Sequence, residues 1–576
     1  MIGMLVILAL AQFETKRFGD LTMKIPMCMA RVSVRLAVPF ITICVLAAAA
    51  PAAVIDWTNP AGGDFSTAAN WNGGAGPVPG ATDSAQFNLA QDPAYTVTLS
   101  GTTTNNQLLV MTDKVSLALG GNTYTVTNAI VGVAGTDNGQ LWLSNGTVSA
   151  TGTFKLGNAN GTTGTLNVAG PGNNVTLTAG LDYLFVGAGG TGVGYLNVTG
   201  GASLTNNRVL VLGNVANSNS AGHVTVSGSG TTFTTTGSMF LGYLGTTTST
   251  IDILSGARFT TGAGNYGMGY SSASSRGSLN VDGAGSVFSS GGNWWIGRMG
   301  IGRMTVQNGG SFIESVGGPA VILGSEAGSA GYLEIGVIGS GSFTSSTFNV
   351  GRSAGNSEGH VTIGPGGTLT LQNGGTVYPN GEIICSNGTM NVVGGGGNLT
   401  LIGSGALYGS GTMNMHSGFA FWTLYDVGVI SPGSGSAAGA FTVNTGDLVF
   451  TKSGVIGAGT LAIQFDSSGA HDSVILATSG RNANLASATL DYSLLNGTRF
   501  APPTPGFMDF LIAPTISNFV SVASDNITNI LSAVPFVQYT YGIVTVGAGD
   551  YGGLYSGYQA LRLTARMNAG TVFSFH

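Results

Sequence analysis

Charge is the first thing this sequence lacks. Asp, Glu, Lys and Arg together make up 7% of its 576 residues, against roughly 25% in an ordinary soluble protein. The 18 basic and 24 acidic residues leave a net charge of -6, with no basic stripe of the kind that nucleic-acid binding needs. A disordered solvating tail is excluded as well, because such tails are rich in charge and poor in apolar residues, whereas valines, leucines and phenylalanines recur regularly here. Cysteine is almost absent. Cys28 and Cys44 lie in the N-terminal leader and Cys385 stands alone beyond it, so the mature chain has no internal disulfide. No Cys/His metal spacing is present, and Cys385, after "EII" in a strand-like run, reads as a small core residue rather than a nucleophile. What replaces charge is glycine, at 97 positions, together with Ser, Thr and Asn.

The N-terminus carries an export signal. Lys24, Arg31 and Arg35 precede an apolar stretch from Leu36 to Leu46 that ends in "AAAAPAA", Ala47 to Ala53. A positive flank, a short apolar centre and a small-residue exit make a secretory signal peptide, and the apolar stretch falls short of the ~20 residues of a spanning helix. Ile43 before Cys44 argues against a lipoprotein anchor. A second apolar run, Met1 to Ala11, leaves both Met1 and Met23 open as the start. Residues 1–53 are therefore read as leader, and no integral membrane span is expected in the mature chain.

Repeats organise the rest. Glycines close apolar runs at Gly132, Gly157, Gly187, Gly213, Gly242, Gly269, Gly297, Gly324 and Gly351, spaced 25 to 30 residues apart. In step with them run alternating pairs: Leu141/Leu143, Leu166/Val168, Leu196/Val198, Val224/Val226, Ile251/Ile253, Leu279/Val281, Met304/Val306, Leu333/Ile335 and Val361/Ile363. Large residues separated by one small or polar residue are the period-2 mark of a half-buried strand. A third short strand, such as Gly285 to Ser290, lies between the markers. A unit of this size cannot bury a core alone, but stacked units can. The expected fold is all-β: a right-handed parallel β-helix, about 27 residues and three strands per rung, over residues 54–430. Residues 431–576 are expected to be β-rich, continuing the solenoid and capping it. At about 4.8 Å per rung the visible units make a rod on the order of 50 Å.

Several motifs are absorbed by this period. Gly187 to Gly192 spells the G-x-G-x-x-G dinucleotide fingerprint, which requires the turn to open a helix. Here "YLNV", Tyr195 to Val198, follows as another strand, so no nucleotide is expected. "GRSAG", Gly351 to Gly355, matches the nucleophile elbow around Ser353, but the elbow too demands a strand-to-helix turn. His223 and His360 share one repeat position five units apart, roughly 24 Å, too far to share a metal; His471-Asp472, His416 and His576 lack evident companions.

Carboxylate pairs matter because β-helix proteins include polysaccharide-cutting enzymes. The acids between 132 and 382 are Asp137, Asp182, Asp252, Asp282, Glu314, Glu326, Glu334, Glu358 and Glu382. Asp252 and Glu334 share a column three rungs apart. Asp252 and Asp282 lie one rung apart and two residues offset, about 8 Å, inside the roughly 6.5–9.5 Å range of inverting glycosidases, with Arg258 and Arg276 near. Solvated outer-face acids are the default. Trp294, Trp295, Tyr243, Tyr266 and Tyr270 offer a sugar-stacking platform, although alternation turns one of the two tryptophans into the core.

The unit from Gly277 to Phe312, the opening "WTNPAGGDFSTAANWNGGAGPVPGATDSAQF" (Trp57 to Phe87) and the stretch from Ile430 to Phe450 resemble the autotransporter-associated β-strand repeats of bacterial exported, passenger-like proteins. The resemblance implies an extracytoplasmic β-solenoid with no assigned catalytic residues. No outer-membrane translocating barrel, which needs many strands of ~10 residues, is evident after Glu382. The expected function is thus an exported, non-catalytic solenoid, secreted or at the cell surface, with the periplasm open, in a structural or adhesive role. No catalytic, cofactor or metal residue is assigned. Its expected partners are extracellular carbohydrate or copies of itself, with no nucleic acid. Two alternatives stand: an extracellular polysaccharide-degrading enzyme using Asp252 and Asp282, and a carbohydrate-binding module.

Overall fold

The computed structural model describes residues 52–567, apart from 75, 91–93, 180–182, 216–217, 316–319, 353–355, 394–397, 416–422, 434–436, 451–458, 466–469, 496–506, 520–523 and 533–536. The leader, Asp182, Ser353, His416 and His576 lie outside the described residues.

The expected parallel β-solenoid is what the chain forms. Each coil contributes one strand to each of three parallel sheets. The first sheet contains Thr163–Ala169 and Val193–Thr199, the second Asn174–Ala179 and Ser203–Asn206, and the third Tyr183–Val186 and Val209–Leu212. Register is kept so that equivalent residues stack. Leu141, Leu166, Leu196, Val224, Ile251, Leu279, Met304, Leu333, Val361 and Ile383 form one column, every member buried. In the second sheet Phe233, Phe259, Phe288, Phe312 and Phe343 stack inside. Phe312 and Phe343 lie 4.4 Å apart with their rings 6° from parallel. Cys385 continues the column of Ile335 and Ile363 and is fully buried, as a small core residue.

The marker glycines turn the corner from the third sheet back to the first. All nine have φ between 58° and 75°, the left-handed region that side chains avoid at about 1–2 kcal/mol. Space decides the matter further. A Cβ on Gly297 would sit 2.0 Å from the Ala330 carbonyl oxygen of the next coil. The fingerprint glycines behave alike: Gly187 and Gly190 have φ of 75° and 38°, and the turn joins Tyr183–Val186 to Val193–Thr199, two strands with no helix between them.

The two ends of the core are closed in different ways, by aromatic rings at the start and by a short helix and a hairpin at the other end. At the N-terminal end Trp57 and Trp71 pack edge to face at 5.0 Å, with Phe65 4.8 Å from Trp71. Each indole N–H is satisfied, donating to the Asn59 and Phe65 carbonyls respectively. Parallel pairing continues beyond 430 as far as Ser524–Asp525. There the short helix Ile527–Ser532 lays Ile527 and Leu531, one turn apart, on the core. An antiparallel hairpin, Val537–Thr545 with Gln559–Met567, pairs with Phe507–Ala513 and ends the second sheet. Arg562 clamps the buried Asp509 through Nε at 2.6 Å and Nη2 at 2.8 Å.

A direct test follows from the corner geometry. Gly297→Ala is expected to destabilise the rod by more than the conformational ~1–2 kcal/mol. Gly328→Ala should cost only that amount, since Gly328 has φ of 76° with nothing within 4 Å of its Cβ position. Thermal melts of the two variants compare them; equal melting temperatures would contradict the close coil-to-coil approach.

Candidate functional site: outer ladders and a groove on the first sheet

The sequence-derived candidates separate according to which side of a sheet they occupy. Trp294 is fully buried and donates from Nε1 to Ser290 Oγ at 2.7 Å; Tyr266 is buried beside it, their rings 5.5 Å apart. Both belong to the core, not to a platform. Trp295 points outward in a third-sheet column that runs Phe185, Val211, Phe240, Gly267, Trp295, Ile322. Tyr270 fills the gap left by Gly267, whose Cβ would meet Tyr270 Cδ2 at 2.3 Å. Tyr270 stands 4.2 Å from Phe240, 6.0 Å from Tyr243 and 6.2 Å from Trp295, and the Arg298 guanidinium covers it at 4.4 Å. This strip is packed on itself: Arg298 lies over the ring that a sugar would need.

Asp252 and Asp282 have the register expected of them, since Asp252 pairs with Asn280 and Asp282 is two residues further on. Their hydrogen bonds diverge. Asn280 Nδ2 donates to Asp252 Oδ1 at 3.5 Å. Asp282 accepts from Gln307 Nε2 and Asn308 Nδ2, both at 2.9 Å, on the following coil. Burial lifts the Asp252 carboxyl above its usual range, partly offset by the Asn280 hydrogen bond and by His223. Arg258 begins a second-sheet strand and Arg276 a first-sheet strand. Asp252 and Glu334 do share a column, through Asn280 and Thr305.

His223 and His360 likewise occupy one outward column of the first sheet: Tyr195, His223, Thr250, Ser278, Arg303, Tyr332, His360, Glu382. Contacts between successive members run from Tyr195 to Thr250 and from Arg303 to Glu382. Tyr195 stacks on His223 at 5.2 Å and Tyr332 on His360 at 5.0 Å. Arg303 lies 4.2 Å over Tyr332, and His360 Nδ1 is 2.7 Å from Glu382 Oε1.

Two residues along the strand from Glu382, Ile384 borders a groove of about 600 Å³, lined on the first-sheet side also by Ser386, Tyr408, Ser410, Ser431 and Gln464 and walled by Gly433, Ala437 and Ala438. No periodic or motif signal in the chain marks it. Asp472 holds the wall in place. It is fully buried and its carboxylate accepts from the Gly439 N–H at 2.9 Å and the Gln464 N–H at 3.0 Å, tying wall to floor. Burial raises its pKa to about 6, against the pull of those two N–H groups.

Glu314 departs from the outer-face default for acids. Counting by twos from the core residue Phe312 turns it inward, and it is fully buried. It sits in an internal polar column with Asn206, Thr235, Thr261, Ser290 and Ser345. Ser345 Oγ and the Ser346 N–H donate to Oε2 at 2.7 and 2.9 Å, while Oε1 is buried without a hydrogen-bond partner. Burial raises the carboxyl from 4.5 to about 7.

Compared with known proteins, the chain matches no family model and no curated sequence.

Two outcomes are expected. Glu314 ionises near 4.5 when unfolded but near 7 when folded, so the folded state binds the extra proton and stability falls as pH rises between those values. Glu314→Gln should abolish that slope and exceed the native chain by up to about 3 kcal/mol at pH 8; parallel pH–melting curves would contradict this. Trp294→Ala should cost about 3–5 kcal/mol, the scale for a buried large ring, and Trp295→Ala far less; denaturation of both variants distinguishes the inward from the outward indole.

Proposed function

We propose that this chain is an exported, non-catalytic β-solenoid with a structural or adhesive role at the bacterial cell surface or outside the cell. The observation that carries this reading is the rung-to-rung bonding of neutral side chains along the exterior. Asn197 Nδ2 donates to Asn167 Oδ1 at 2.9 Å. Asn444 donates to Asn414 and Asn414 to Asn391, each at 2.8 Å. Hydroxyl pairs do the same, Thr232 to Ser203 at 3.0 Å and Ser342 to Ser311 at 2.9 Å. Side chains fixed by their neighbours have little rotamer entropy left to lose on contact. A rod of this kind presents small polar groups on successive rungs, which suits repeated weak contacts along its length. Export is supported by Lys24, Arg31 and Arg35 ahead of the apolar stretch and its small-residue exit.

Against the enzymatic alternative stands the engagement of Asp282 by two amides of the following coil, which leaves it committed to structure. Asp282→Asn and Asp252→Asn are expected to leave any activity on a panel of glycans unchanged. Fractionation of the producing cells, with N-terminal sequencing of the product, tests export. A chain starting near Ala53 outside the cytoplasm is the expected result; an uncleaved cytoplasmic chain would overturn the proposal.

A further inference from the structure

We infer that the groove between the first sheet and the wall formed by Gly433, Ala437 and Ala438 is a binding site for a neutral polysaccharide, with Tyr408 as its stacking ring. This goes beyond the scaffold reading and does not depend on it. The groove's volume of about 600 Å³ falls in the roughly 300–1,000 Å³ range of built ligand sites. That is room for more than one hexose unit.

Its chemistry selects the ligand. None of the twelve lining residues is charged; they supply hydroxyls from Ser386, Ser410, Ser431 and Tyr408, amides from Asn387 and Gln464, and the apolar Ile384, Ala437 and Ala438. A hexose has the same two sides, an apolar ring face and a hydroxyl rim. Tyr408 provides the flat surface for the first and is only half buried. Burial, then the neighbouring Glu382 carboxylate, raise its pKa, so the phenol stays protonated and remains a donor. The same carboxylate near Tyr408, with Glu358 one coil back beside His360, opposes an anionic chain and favours a neutral one.

The backbone is built for this opening. Ser386 pairs with Ser410 and Gly388 with Gly411, so Asn387 is one residue too many for its partner strand. Its φ is 60°, and its side chain accepts from Ser410 Oγ at 2.8 Å at the groove lining. Bulges re-aim side chains and gather beside functional sites. A second irregularity, between Ile402 and Ala406, interrupts the pairing of the next coil. The wall is then pinned by the buried Asp472, whose acceptance of the Gly439 and Gln464 N–H groups fixes the width of the groove.

Isothermal titration of the mature chain tests the site. The probes are short soluble glucan, mannan, xylan and galactan oligosaccharides, with oligogalacturonate and hyaluronate fragments as acidic counterparts. At least one neutral oligosaccharide is expected to bind. Tyr408→Ala should weaken it about tenfold or more, Tyr408→Phe much less, and Ala438→Trp, which fills the groove, should abolish it. Melting temperatures confirm that each variant is folded; if Tyr408→Ala fails to fold, Ala438→Trp decides. Binding of acidic fragments alone, no binding by any probe, or binding lost in Trp295→Ala but kept in Ala438→Trp would overturn the assignment.

Discussion

The structure depends on one constraint: each coil must lie directly on the last, hydrogen-bonded in register at the roughly 4.8 Å spacing of paired strands. At that distance little but hydrogen fits where the chain leaves the third sheet, because at most of these corners the next coil's backbone occupies the place of a Cβ. The requirement explains why glycine marks every corner from Gly132 to Gly351 and why all of those residues are left-handed. It also explains the core. Once register is kept, any residue type favoured at one inward position is stacked on its own kind, giving the aliphatic column from Leu141 to Ile383 and the phenylalanine column from Phe233 to Phe343.

The same stacking shapes the exterior. Outward residues meet their counterparts one rung away, so amides bond amides, hydroxyls bond hydroxyls and rings stack on rings. Scarcity of charge follows from this, for a column of like charges one rung apart would repel itself. Two of the outer cations lie over a ring, Arg303 over Tyr332 and Arg298 over Tyr270, and the outer Asp282 is held by two amides. Departures from the repeat are correspondingly informative. The bulge at Asn387 and the buried carboxylate of Asp472 each break the pattern, and together they frame the groove on the first sheet.

How much of this the sequence discloses depends on whether a feature is periodic. The alternating pairs and marker glycines placed the first and third sheets, the shared column of His223 and His360, and the relative register of Asp252 and Asp282. The split of Trp294 from Trp295 was legible from alternation alone. Glu314 was legible by the same count, from Phe312, but polarity argued the other way and burial won because Ser345 and Ser346 supply donors. The groove was not legible. Strands Gly381–Val392 and Leu399–Met415 run through corners that elsewhere need a glycine turn, so the period is blurred there. Asp472 contacts residues 8 and 33 positions away, a pairing that no local pattern reveals.

In-register stacking is the central claim, and a paired-cysteine cross-link measures it most directly. Asn167 and Asn197 are register partners on the outer face, at a separation within the roughly 4.4–6.8 Å span a disulfide accepts. Asn167→Cys with Asn197→Cys should oxidise readily to an intramolecular disulfide, whereas Asn167→Cys with Tyr195→Cys, two residues out of register, should not. Preferential closure of the second pair, or of neither, would contradict the account.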